Sequence, residues 1–152
     1  MSEELDELFQ EVILDHYRRP RNFRVIADAS HTADGNNRLC GDKLRLFVKV
    51  RDGLIEDLAF QGDGCAISKA SASMMTQVLR GKRLDEAQHL FDEFHRVVTG
   101  PPDEVPDVPE DLGKLAAFAG VRKFPVRVKC ATLSWHTLQA ALKDEKKPVS
   151  TE

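Results

Sequence analysis

The sequence predicts an α+β fold, a small antiparallel sheet of about three strands with helices packed on one face. Three observations predict it. Residues 43–51 alternate apolar and polar at the period of a strand. Asp52-Gly53 then supplies the left-handed pair of a tight hairpin, whose second arm, Leu54 to Gln61, is rich in Leu, Ile and Phe. Beyond it the apolar residues recur at helical spacing, so strands and helices are segregated along the chain.

The chain has 152 residues, enough for one domain that buries roughly 70% of the surface its unfolded form exposes. Apolar residues are 41% and charged residues 31%, the balance of a globular protein and not of a disordered or fibrous one. Lys and Arg total 22 against 25 Asp and Glu, a net charge of -3, which gives no general attraction to nucleic acid. The start, Met1-Ser2-Glu3-Glu4, lacks the basic flank and apolar stretch of a secretory signal, and the longest uncharged apolar run, Leu115–Val121, is far too short to cross a bilayer. A cytoplasmic protein without a membrane partner is expected.

Leu5, Leu8, Phe9, Val12 and Ile13 predict a helix over 4–17, stopped before Pro20. Arg18, Arg19, Arg21 and Arg24 follow, either a solvated surface or a docking patch for an acidic partner. A third strand is expected within 25–33, on Val25-Ile26-Ala27-Asp28-Ala29. After the hairpin, Ile67, Ala70, Ser71, Met74, Met75 and Val78 line one face of a helix ending before Gly81. Another helix is predicted over 85–98. Thr99 to Asp111 holds four prolines and five acids without a base, an irregular connector leading into a helix over 111–120. Cys130, Leu133, Thr137, Leu138, Ala141 and Leu142 predict a last amphipathic helix. The expected organisation is a single domain over 1–142, interrupted by an inserted segment at about 99–120, then a charged flexible tail at 143–152.

Three cysteines, an odd and sparse count, favour thiols or metal ligands over a disulfide framework. Cys40 lies on a loop where Gly41 lets the backbone turn, so that its thiolate and the Asp42 carboxylate can face one point. Cys65 follows the turn Gly62-Asp63-Gly64 and is placed, like Cys130, at a helix start, where the dipole favours a thiolate. Three thiolates and a carboxylate suit tetrahedral zinc. The spacing, C-x-D, 22 residues, Cys, 64 residues, Cys, matches no common zinc-finger pattern, and inert buried cysteines remain open. None of His16, His31, His89, His95 and His136 stands in a hydrolase motif. His16 and His136 read as packed side chains, so Cys–His hydrolysis is set aside.

Leu39-Cys40-Gly41-Asp42, Gly62-Asp63-Gly64-Cys65-Ala66-Ile67-Ser68 with the run Ala70–Thr76, and Val128–Leu138 around Cys130 together resemble the NifU/IscU-like family of iron–sulfur cluster assembly proteins. Asp15-His16-Tyr17-Arg18-Arg19-Pro20-Arg21-Asn22 resembles that family's amino-terminal signature. Residues 99–120 look like the extra segment of its SufU branch. The likeness covers nearly the whole chain and implies a SufE/NifU-like fold. It further implies a zinc site formed by Cys40, Asp42, Cys65 and Cys130, and a working partner, a pyridoxal-phosphate cysteine desulfurase of the SufS type. Cys40 is then the catalytic sulfur acceptor of a sulfurtransferase, freed when the metal takes a ligand from the desulfurase.

Scaffold members carry a histidine directly before the third cysteine; here Lys129 stands there, a protonated amine with no lone pair to give. The alternative is therefore less favoured: a non-enzymatic scaffold that holds a [2Fe-2S] cluster transiently and passes it to other cluster-assembly proteins. A third reading makes the metal purely structural and the arginine segment an adaptor surface. Arg127 and Lys129 stabilise thiolate or persulfide charge, or else lie on a solvated strand edge.

Overall fold

The computed structural model describes residues 3–145 and 147–151, with the side chains of 3–6 and 8, including Leu5 and Leu8, outside that description. The elements run α1 (Glu3–Arg18), β1 (His31–Asn37), β2 (Asp42–Arg51), β3 (Leu54–Asp63), α2 (Ala66–Leu79), α3 (Leu84–Thr99), a run of 3-10 turns (Glu110–Lys123), α4 (Pro125–Leu142) and β4 (Val149–Ser150). Among the described residues the sheet has four strands, one more than expected, in the order β3-β2-β1-β4. The first three pair antiparallel, and β4 lies parallel to β1.

The β2–β3 hairpin forms as its sequence requires, with Asp52 (φ 52) and Gly53 (φ 74) both left-handed at the turn. Leu44, Leu46 and Val48 point to the helices. Phe47, on the opposite face, is covered by Ile26 and packs with Ala59. That contact is the true role of the 25–29 segment. It is not a strand, and β1 lies later, in His-Thr-Ala-Asp-Gly-Asn-Asn, a stretch with few β-formers. What makes it a strand is tertiary: β2 supplies its hydrogen bonds, and Gly35 lets α4 approach so closely that a Cβ there would collide with Thr137 Oγ1.

α4 is the central element. Trp135 is fully buried, stacks on Phe94 of α3 at 4.6 Å between centroids, and donates its indole N–H to Ser71 Oγ of α2 at 3.1 Å. It is buried on most sides rather than amphipathic, because sheet, α2 and α3 all lie against it. It also begins at Pro125, five residues before Cys130, since a proline is pre-set for the first helical turn.

The 99–109 connector is irregular as expected, yet it is tied down by the buried Arg122. That guanidinium donates to Val97 O at 2.7 and 2.9 Å, and more weakly to the carbonyls of Arg96, Pro101 and Glu104. The segment after it is a series of 3-10 turns rather than an α-helix, interrupted at Gly113 (φ 53, ψ -126) and extending to Lys123. The charged ending, which offers little to bury, still folds back. Val149 and Ser150 pair with Gly35 and Asn36, and Thr151 Oγ1 donates to Lys129 O at 3.0 Å. Among the described residues no helix is long and apolar enough to cross a membrane.

Candidate metal centre

The sheet and α4 bring three donor groups together, Cys40, Asp42 and Cys130, and α2 sets Cys65 beside Asp42. Cys40 sits in the turn joining β1 to β2, where Gly41 is left-handed (φ 70) and Cys40 N–H donates to Asn37 O at 3.3 Å. Asp42 is the first residue of β2 and is almost fully buried. Cys65 caps α2, its sulfur accepting from Ser68 N–H at 3.4 Å. Cys130 is fully buried in α4. Its sulfur lies 3.0 Å from Cys40 Sγ, and Cys40, Asp42 and Cys130 bring their donor atoms within 4.8 Å of one another. Cys65 joins through the carboxylate, with its Sγ 3.8 Å from Asp42 Oδ2. All three thiols are free, and Cys40 and Cys65 remain half-exposed.

Asp42 is aimed by its neighbours. Its Oδ1 accepts the Cys65 backbone N–H at 2.8 Å, which leaves Oδ2 toward the sulfurs. This needs Gly64, where a Cβ would lie 2.5 Å from Asp42 Oδ1 and 3.1 Å from its Cα. Gly62 and Asp63 belong to β3 rather than to a flexible turn, so Cys65 is held between a strand end and a helix start.

Two expectations about charge are corrected. Cys130 lies in the second turn of α4, away from the free N–H groups, and its thiol is pushed strongly up by burial and by the neighbouring Cys40, Cys65 and Asp42. Cys65 does cap its helix, but burial outweighs the Ser68 N–H and raises its thiol as well. Burial and their acidic neighbours thus leave the Cys65 and Cys130 thiols resisting ionisation on their own. A divalent cation overcomes this, since a coordinated thiol loses its proton outright, and the sulfur-rich donor set with one oxygen fits zinc.

Arg127 and Lys129 lie on α4 and not on a strand edge, Arg127 exposed and Lys129 half-buried. Among the described residues no histidine joins the cluster. His16 is buried against Ser73 Oγ at 2.7 Å, and His95 and His136 pack with Phe91. The sequence reading missed Asn37, fully buried beside Cys130, because its stretch carried no periodic signal. It also missed a convergence of His89, Glu93 and Asp111, which is a surface ion-pair cluster with His89 and Asp111 exposed.

Comparison with known proteins places the chain in a family. The NifU-like N terminal domain family matches residues 8–131. The zinc-dependent sulfurtransferase SufU of Bacillus subtilis is 45% identical over 141 residues, 93% of each chain. The iron–sulfur cluster assembly scaffold protein IscU of Streptococcus pyogenes is 42% identical over 139 residues, 91% of this chain and 85% of the relative. A crystal structure from Fervidobacterium islandicum, described as a candidate cluster assembly scaffold for the SUF system, superposes with a TM-score of 0.79 at 33% identity, covering 87% of this chain and 94% of the other. Matched over most of its length by the family and by relatives of both kinds, the chain belongs to the NifU-like N-terminal domain family of SufU and IscU proteins.

Proposed function

We propose that this protein is a zinc-dependent sulfurtransferase of iron–sulfur cluster assembly, accepting sulfur from the persulfide of a pyridoxal-phosphate cysteine desulfurase of the SufS type in the cytoplasm. The observation that carries the reading is the convergence of Cys40, Asp42 and Cys130, with Cys65 on Asp42, at a half-exposed edge of the sheet. Bound there by these four residues, zinc keeps thiols deprotonated at neutral pH while damping their nucleophilicity. Cys40 is the acceptor. It alone lies in a turn with a left-handed glycine beside it, whereas Cys65 is fixed as a helix cap and Cys130 is buried in a helix. Its thiolate attacks the outer sulfur of the donor persulfide; the S–S bond breaks, the desulfurase cysteine leaves as thiolate, and Cys40 carries the persulfide with no net oxidation.

The test is kinetic. Adding the protein to its cognate desulfurase with free cysteine raises turnover several-fold, and Cys40→Ala abolishes the gain; a desulfurase indifferent to the wild-type protein contradicts the proposal. The IscU relatives favour a second reading, a non-enzymatic scaffold for a [2Fe-2S] cluster. Lys129, which has no lone pair to offer beside Cys130, weighs against it. Anaerobic reconstitution with iron and sulfide separates the two, because stable cluster uptake that displaces zinc favours the scaffold.

A further inference from the structure

Asn37 is polar, fully buried and placed at the hub of the donor cluster. It ends β1 directly opposite Asp42 in the β1–β2 register, and its backbone carbonyl accepts the Cys40 N–H at 3.3 Å. Its side-chain Nδ2 lies 3.7 Å from Cys130 Sγ. One residue therefore touches the chain at three of the four donors. Its Oδ1 is buried and has no partner among the described residues. A buried amide that leaves its acceptor unspent is a costly choice for the end of a strand, where an aliphatic side chain of the same shape would carry no such penalty. The end in use is the donor, and the atom it faces is a sulfur.

We infer that Asn37 is a positioning residue of the metal centre, donating an N–H···S hydrogen bond to the Cys130 thiolate and anchoring the Cys40 turn through its carbonyl. This rests on the zinc-site reading above. A ligating thiolate keeps lone-pair density that a fixed N–H can share, which steers the sulfur and draws charge from it, as outer-sphere donors commonly do in metal sites. Asn37 touches no substrate in this account. Its effect passes through Cys130 and Cys40.

The test compares wild type with Asn37→Leu, which keeps the side-chain shape and removes both polar ends, and with Asn37→Ala should the leucine variant not fold by circular dichroism. Zinc affinity is read by competition with a chromophoric chelator, and cobalt(II) is loaded to saturation as a spectroscopic probe. The expected result is zinc binding weakened by about 10–100-fold, with the sulfur-to-cobalt charge-transfer band moved to longer wavelength because the sulfur is more electron-rich. A merely structural role would not move that band at full occupancy. A folded variant with wild-type affinity and an unmoved band overturns the inference. Failure of wild type itself to take up either ion is a different result, sinking the zinc-site reading and this inference together.

Discussion

At Gly64 the chain leaves out a side chain so that Asp42 can occupy the space, and this absence is as much a part of the centre as the donors. Gly64→Ala is expected to push the carboxylate from its place and weaken zinc binding by about 10–100-fold, close to the effect of losing an outer-sphere partner, with far-UV circular dichroism unchanged. Chelator competition measures it. His16 makes the second residue-level expectation. Burial first, then repulsion from Arg21, lowers its pKa from 6.5 to about 4, with its Nδ1 on Ser73 Oγ. The fold thus favours the uncharged ring. Its contribution is complete above about pH 6.5 and is lost progressively as pH falls toward 4, up to roughly 3 kcal/mol. Urea unfolding at about pH 7.5 and about pH 5 should show that loss in wild type and a flatter response in His16→Gln. Cys40, Asp42 and Cys65 each stand beside a glycine or at an element boundary, which marks them in the sequence as candidates; Cys130 stands at neither, inside α4, and only the motif around it pointed there. The thiol pKa directions were not readable there, since burial is a property of the packed molecule and it outweighed the helix end at Cys65.

At the scale of elements, turn chemistry was the most legible feature and pairing supplied from elsewhere the least. Asp52-Gly53 announces its hairpin, and the apolar spacing of α1, α2 and α3 sets their limits to within one or two residues. β1 carries almost no strand signal of its own, being made by β2 and by the approach of α4 at Gly35. The start of α4 was hidden because Pro125 reads equally as a breaker and as a first-turn residue. Arg122, too, shows nothing locally, yet it satisfies carbonyls at the end of α3 and in the connector together. Arg122→Leu leaves those carbonyls without their donor. It is expected to cost about 2–3 kcal/mol in denaturant unfolding and to open the 101–109 segment to limited proteolysis, while metal content is unchanged.

For the molecule as a whole, a core shared by the sheet and all four helices, centred on Trp135, Phe94, Phe118 and Phe60, is expected to hold the fold without the ion. Removing zinc with a strong chelator should therefore lower the melting temperature without unfolding the protein. With the ion at about 1,000 times its dissociation constant the linked stability is about 4 kcal/mol, or roughly 10 °C for a chain of this size. A chain that unfolds on chelation at room temperature would instead make the metal its structural cement. Sulfurs from three distant segments and one carboxylate are expected to bind a single zinc ion. X-ray absorption at the zinc edge of protein purified without added metal tests this most directly: three sulfurs at about 2.3 Å and one oxygen at about 2.0 Å are expected, and a shell of nitrogen and oxygen alone, or no zinc at the edge, would contradict it.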